Sequence, residues 1–154
     1  MKKTGIINQP ISTVISGLGH TDSLVIADAG LPIPDGVTRI DLALKEGVPS
    51  FLVTLEVILS EMQVEKAIIA LEIKEKNPTI EKRIIELLGH VPVEYISHEN
   101  FKLETNTAKA IIRTGEFSPY ANIILLSGVV FKCLKRVYRH DPDLIGKILH
   151  SNMA

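Results

Sequence analysis

The chain of 154 residues has the size of one domain, and its apolar content of 45% and net charge of −1 exclude a disordered or strongly basic protein. No apolar run reaches the roughly 18 residues that a membrane-spanning helix needs. The first residues lack the apolar core of a secretory signal, so a cytoplasmic protein is expected. The single cysteine, Cys133, excludes an internal disulfide and a thiolate metal cluster.

The charge is unevenly distributed along the chain. Residues 1–131 carry 12 Lys/Arg and 16 Asp/Glu, whereas residues 132–154 carry five Lys/Arg against two Asp. Residues 1–131 are net acidic, so their charge gives no indication of a nucleic-acid-binding surface. We interpret residues 1–131 as one domain and residues 132–154 as a basic C-terminal extension, which is either a solvated terminal segment or a binding arm.

Helix and strand patterns alternate from the start of the chain. Ile11, Val14, Ile15 and Leu18 recur at helical spacing, and Pro10 suits the first turn of that helix. The elements predicted next, in order, are the strand "SLVIADAG", the turn "LPIPDG", the strand "VTRIDLAL", the helix "PSFLVTLEVILSEM", the strand "EKAIIALEI" and the helix "NPTIEKRIIELLG" with its capping asparagine.

The second half of the chain continues this alternation. The predicted elements are the strand "VPVEYIS", a short helix in "SHENFKLETN" capped by Ser97, the strands "AKAIIRTG" and "NIILLSGVVF" joined by "EFSPYA", and a terminal helix that begins at Asp141 or Pro142. Strands that alternate with helices indicate the α/β class. We therefore predict a single-domain αβα sandwich with a central, mostly parallel sheet of about six strands.

Several common chemistries have no motif in this sequence. The stretch "SGLGHTD" follows a helix, so it fails the context test for a nucleotide-binding loop. The sequence contains no His-Glu-x-x-His pattern, no calcium loop and no G-x-S-x-G elbow. The five histidines show no close pairing, so no metal site is expected.

Polar residues at the predicted strand ends are the remaining candidates for function. Ligands of open α/β sheets bind at strand ends, where loops carry the polar groups. An imidazole, a carboxylate, a phenol and an amide there predict a sugar-type site. Each candidate also has an ordinary alternative: His20 as a loop residue after a helix, Asp28 as an acceptor for the following turn, His98 in a first helical turn, Tyr120 in the core and Asn122 in a turn.

Three segments resemble the D-ribose pyranase branch of the sugar mutarotase family: "GHTDSLVIADAGLPIPDG", "EYISHENFK" and "IRTGEFSPYANIIL". The resemblance extends over residues 2–131 and implies that residues 1–131 are a sugar mutarotase domain. It implies an isomerase that interconverts the β-pyranose and β-furanose forms of free ribose without a cofactor. It also implies a ring-shaped cytoplasmic homo-oligomer, expected to be a decamer, and gives no expectation for residues 132–154.

The same resemblance implies roles for individual residues. His20 is expected to transfer the proton, which suits a group that titrates near neutrality. Lys102 is a further polar candidate near His98. The implied sugar contacts are Asp28, His98, Tyr120, Ala121 and Asn122. No metal, nucleic acid or membrane is expected as a partner.

His20 and Asp28 flank one predicted strand, and this has a geometric consequence. An extended strand over residues 23–27 rises about 3.3 Å per residue, so its ends lie roughly 15 Å or more apart. A single ribose is much smaller than that distance. We therefore hypothesise that each site lies between two subunits, with His20 and Asp28 meeting across the interface.

Two other functions are compatible with parts of the sequence. A non-catalytic sugar-binding or regulatory partner of a ribose uptake system would use the same pocket without a proton shuttle. A histidine phosphocarrier would expose a histidine on a loop, but no arginine flanks His20 to receive the phosphate.

Overall fold

The computed structural model describes residues 1–131, in which five α-helices alternate with six strands. The helices are α1 Gln9–Gly17, α2 Phe51–Leu59, α3 Ile73–Lys76, α4 Pro78–Leu88 and α5 His98–Glu104, which a 3₁₀ turn, Thr105–Thr107, follows. The strands are β1 Ser23–Ala27, β2 Thr38–Asp41, β3 Val64–Ala70, β4 Val93–Ile96, β5 Ala110–Arg113 and β6 Ile123–Ser127. The basic extension 132–154 and its predicted helix lie outside the described residues.

Capping side chains decide where most of these helices begin. Asn8, Ser50 and Ser97 each accept a hydrogen bond from a backbone N–H of the first turn, which confirms the predicted starts of α1, α2 and α5. The predicted cap of α4 is wrong. The Asn77 side chain makes no capping bond and instead donates from Nδ2 to the carbonyl oxygen of Pro119, 3.0 Å away.

The six strands form one sheet in the order β2-β5-β1-β6-β3-β4. Strand β6 runs antiparallel to both of its neighbours, β1 and β3, and the other three pairs are parallel. The prediction of a mostly parallel sheet of about six strands is therefore confirmed. All six strands are shorter than their predicted patterns. Strand β2, for example, ends at Asp41, and the end of "EKAIIALEI" turns into α3.

Both faces of the sheet are covered, as predicted for an αβα sandwich. Alternate residues of β1 belong to different cores: Leu24 and Ile26 pack with α1, α2 and α4, whereas Val25 and Ala27 pack with Phe101 of α5. A strand that is buried on both faces has a continuous apolar sequence, which is why "LVIA" shows no alternation. Across residues 1–131, none of the helices combines the length and the apolar character needed to cross a bilayer.

Candidate active site

One edge of the sheet gathers most of the polar residues that the sequence singles out. Asp28 follows β1 and His98 follows β4, while Tyr120 and Asn122 precede the antiparallel strand β6. Because β6 is reversed, its beginning lies beside the carboxyl ends of its neighbours. These four residues line a cavity of about 310 Å³, together with Gly30, Leu31, Pro32 and Pro119.

The carboxylate of Asp28 is held rigidly in this cavity. Its Oδ1 accepts hydrogen bonds from the backbone N–H groups of Gly30 and Leu31, at 2.9 and 2.8 Å. Its Oδ2 accepts from Nδ2 of Asn122 at 2.9 Å, while Oδ1 of Asn122 accepts from the Asp28 N–H at 2.8 Å. Asp28 is thus both a turn acceptor and a cavity residue, and its orientation is fixed before a ligand binds.

His98 and Tyr120 form the aromatic side of the cavity. Their rings meet edge to face, with centroids 5.1 Å apart, and the His98 imidazole also stacks on Phe101. The backbone N–H of His98 donates to both carboxylate oxygens of Glu72, at 3.1 and 3.0 Å. Nδ1 of His98 is buried and has no hydrogen-bond partner within residues 1–131. Tyr120 has a positive φ of 59°, which is uncommon outside glycine.

Glu116 fixes the loop that carries Tyr120. Its carboxylate accepts from the hydroxyl and the backbone N–H of Ser118, at 2.8 and 3.1 Å, and from the N–H of Phe51 at 3.3 Å. Burial by itself raises the pKa of Glu116, but these hydrogen bonds outweigh burial and hold its pKa below the usual range. Sequence reasoning missed Glu116, Glu72 and Asn77 as supports of the site. The only signal for Glu116 was an acidic residue inside a Gly/Ser/Pro loop.

A second cleft of about 390 Å³ adjoins the first cavity and shares Asp28, Gly30 and Pro119 with it. Arg113 lines this cleft, but its guanidinium is bonded within the chain, through Nε to the Ala29 carbonyl and through Nη1 to Asp41. The exposed ring of Phe117 lies at the same cleft. The two spaces form one concave surface at this edge of the sheet.

His20 lies at the opposite edge of the sheet. It precedes the first residue of β1, whereas Asp28 follows the last, so the five residues of the strand separate them. Its side chain is exposed, and its Nε2 lies 2.7 Å from Oε2 of Glu65. The structure therefore does not bring His20 together with the cavity residues of its own chain, as the length of the strand predicts.

Two other candidate residues do not line the cavity. Ala121 is completely buried in the larger core, so only its backbone is available to a sugar. Lys102 lies four residues after His98 on α5, and its Nζ pairs with Oε1 of Glu99 at 2.7 Å. That hydrogen bond and the positive charge of Lys102 lower the pKa of Glu99.

The groups around the cavity suit a ligand with many hydroxyls. They comprise a fixed carboxylate, an imidazole and a phenol, all capable of directional hydrogen bonds. Within the described part of the chain, no three His, Cys, Asp or Glu side chains stand close enough together to hold a metal ion. The arrangement can orient a small polyol and exchange protons with it.

Comparison with known proteins gives the family. A profile of the RbsD / FucU transport protein family matches residues 1–130, and the chain belongs to this family. A D-ribose pyranase of Laribacter hongkongensis is 58% identical over 131 residues, which are 85% of this chain and 100% of that protein. A D-ribose pyranase of Bacillus subtilis is 56% identical over the same shares of the two chains.

Solved structures agree with this assignment. Bacillus subtilis RbsD complexed with D-ribose matches with a TM-score of 0.84 and 56% identity, over 85% of this chain and 100% of that one. The fucose mutarotase of Streptococcus pneumoniae, in complex with L-fucose, matches with a TM-score of 0.70 and 28% identity, over 81% of this chain and 95% of that one. The sheet with its reversed strand is therefore the fold of this family.

Proposed function

We propose that this chain is a D-ribose pyranase, an isomerase that interconverts the β-pyranose and β-furanose forms of free ribose. The observation that carries the proposal is the cavity of Asp28, His98, Tyr120 and Asn122 on a fold that matches a D-ribose complex with a TM-score of 0.84. Relatives at 58% and 56% identity that are named D-ribose pyranases support it further.

The reaction moves two protons and changes no oxidation state. The anomeric hydroxyl loses its proton, the bond between the anomeric carbon and the ring oxygen breaks, and that oxygen gains a proton. The open aldehyde then recloses through a different hydroxyl, with the reverse transfers. Such a reaction needs a group that both takes and gives a proton near neutral pH, and His20 is the residue we assign to that role.

The cavity residues orient the sugar for these transfers. Asp28 accepts hydrogen bonds from sugar hydroxyls with the lone pairs that its turn and Asn122 leave free. Because Nδ1 of His98 is buried, its Nε2 is the nitrogen available to a hydroxyl. The Tyr120 hydroxyl supplies a further directional contact. Asn122 acts mainly through Asp28, since both ends of its amide are bonded there.

His20 reaches this cavity from a neighbouring subunit in the proposed assembly. The exposed imidazole at one edge of the sheet and the cavity at the other support a site shared between two chains. Phe117 is 65% exposed beside the cavity, where a neighbouring chain of the proposed assembly would cover it. We propose a cytoplasmic homo-oligomer, with a decameric ring as the expected form, acting in ribose catabolism.

A non-catalytic role in ribose uptake is the competing function, since the family is described as a transport protein family. The two functions differ in their need for His20. A binding protein keeps its sugar affinity and has no exchange activity to lose when His20 is replaced. An isomerase loses exchange while ribose still binds.

Saturation-transfer NMR between the ribose forms tests the proposal directly. Added protein is expected to raise the pyranose–furanose exchange rate, and His20→Ala is expected to lower that increase about 10²- to 10⁴-fold with ribose affinity retained. The control is His90→Ala, which removes an exposed histidine after α4. An exchange rate that does not change when wild-type protein is added contradicts the proposal.

A further inference from the structure

The partner of His20 comes from a distant part of the chain. Oε2 of Glu65, on β3, lies 2.7 Å from Nε2 of the imidazole, 45 residues away in sequence. The side chains are 55% and 38% exposed, so the pair contributes little to folding stability. Within residues 1–131, Glu65 has no other ion pair. Any role of this contact is therefore one of geometry and not of folding stability.

A β-bulge aims the Glu65 side chain. In the β3–β6 ladder Val64 pairs with Ser127 and Lys66 pairs with Leu126, which leaves Glu65 as the extra, unpaired residue. Bulges re-aim a side chain, and they are over-represented next to active sites. Gly128 leaves room for the bulge, because a Cβ at that position would lie 3.1 Å from Cβ of Glu65.

The loop that carries His20 is fixed from the other side. Thr21 has a φ of 67°, a conformation that is rare for a β-branched residue, and its N–H donates to the carbonyl oxygen of Ser127 at 2.8 Å. The Gly19 N–H donates to Oδ2 of Asp22 at 2.8 Å. The left-handed residue Thr21 therefore fixes the loop that carries His20, and the bulge positions Glu65. Together they hold the two side chains of this ion pair in contact.

We propose that Glu65 is the positioning residue of the His20 imidazole. A carboxylate can only accept a hydrogen bond, so the contact places the proton of the neutral ring on Nε2. Nδ1 then carries the lone pair that takes the proton of the anomeric hydroxyl. This inference rests on the proposed function, in which His20 is the proton shuttle, and it assigns the nitrogen that faces the sugar.

Two substitutions of Glu65 test this role by activity. Glu65→Ala removes the acceptor and is expected to lower kcat at least about tenfold, while KM for ribose stays within twofold. Glu65→Gln keeps an acceptor oxygen without the charge and is expected to fall between wild type and Glu65→Ala. The matched control is Glu94→Gln, which breaks an exposed ion pair with Lys66 on the same sheet and is expected to leave kcat unchanged.

Nitrogen-15 NMR of the histidine rings gives a readout that a structural role would not change. In its neutral form, wild-type His20 is expected to show a protonated Nε2 and an unprotonated Nδ1, and Glu65→Ala is expected to show a mixture of both tautomers. Sedimentation of each variant checks that the assembly is intact. The spectrum is recorded without ribose, so it tests the contact even if the wild-type protein proves inactive in the exchange assay.

Three results would overturn the proposal. One is a kcat of Glu65→Ala within twofold of wild type. Another is an equal change in kcat and KM together with altered sedimentation, which would make the role structural. The last is an unchanged His20 tautomer in Glu65→Ala. Failure of wild-type protein to accelerate exchange would instead contradict the proposed function, so the two failures can be distinguished.

Discussion

At the scale of single residues, Asn122 and Asp28 form the most strongly bonded pair of the site. Asn122 is 1% exposed, and its amide makes one bond to the backbone and one to the carboxylate of Asp28. Asp28 also accepts hydrogen bonds from two backbone amides of the following turn, so its side chain has a single orientation. The buried amide therefore prepares the carboxylate for a ligand without having to contact that ligand itself.

Asn122→Ala is expected to affect both stability and binding. It leaves the backbone N–H and a carboxylate oxygen of the half-buried Asp28 without partners, at a cost of about 1–3 kcal/mol in the free energy of unfolding. Urea denaturation measures this loss, and titration with ribose is expected to show weaker affinity. Asn106→Ala, which changes an exposed asparagine, serves as the control. Equal stability of Asn122→Ala and wild type would contradict the importance of the pair.

At the scale of elements, the loop between β5 and β6 is the support of the cavity. The carboxylate of Glu116 accepts hydrogen bonds from backbone amides of its own loop and of α2. Asn77, at the start of α4, donates a hydrogen bond to the Pro119 carbonyl. Gly115 packs against the backbone of Lys45 and Val48 so closely that a Cβ would collide with it. The loop is thereby attached to three other segments, and Tyr120 keeps its left-handed conformation.

Glu116→Gln is expected to destabilise the protein in a pH-dependent way. The folded pKa of Glu116 lies below the unfolded value of about 4.3, so the carboxylate stabilises the fold above that pH. This contribution is lost as the pH falls through the folded pKa. Urea denaturation is therefore expected to show a less stable variant at pH 7 and a smaller difference near pH 3. Glu75→Gln, which changes an exposed carboxylate, is the control. A stability difference between wild type and Glu116→Gln that stays constant with pH would contradict this role of Glu116.

The sequence predicts the local parts of this fold better than the long-range ones. Asn8, Ser50 and Ser97 begin helices because a cap needs only its own first turn. Asn77 has the same chemistry, but a carbonyl 42 residues away takes its side chain. The reversal of β6 could not be predicted, since the buried run "IILLS" has the same pattern in either direction.

The candidate site shows the same difference between local features, which the sequence predicts, and long-range contacts, which it does not. Asp28 and His98 were singled out because they stand just after predicted strands, and the structure places both on one cavity. Glu65 was missed because nothing in "QVEKAII" indicates a bulge, which arises only when β3 pairs with β6. Glu72 was missed for a similar reason, since its partner, the His98 N–H, lies 26 residues further on.

At the scale of the whole molecule, the sheet separates the proposed proton shuttle from the proposed sugar cavity. His20 lies at one edge, and Asp28 lies beyond the full length of β1 at the other. Under the proposed function, a single chain therefore presents two incomplete halves of a site. An assembly that brings unlike edges of neighbouring copies together completes one site for each pair of facing edges.

Mixing two inactive variants tests this arrangement. His20→Ala chains retain Asp28, and Asp28→Asn chains retain His20. If the halves of a site come from different subunits, oligomers refolded from an equal mixture are expected to recover about one quarter of wild-type exchange activity. Each variant refolded alone is the control. Mixed oligomers that are as inactive as the separate variants would show that the two residues do not meet across subunits.

The antiparallel direction of β6 has a consequence for misfolding. Its beginning adjoins Asn122 at the cavity, and its end adjoins Ser127 and Gly128, which contact Thr21 and Glu65 at the opposite edge. A slip of β6 by one position would invert its faces and displace both groups in the same event. A misregistered molecule would therefore disturb the proposed sugar cavity and the proposed proton shuttle together.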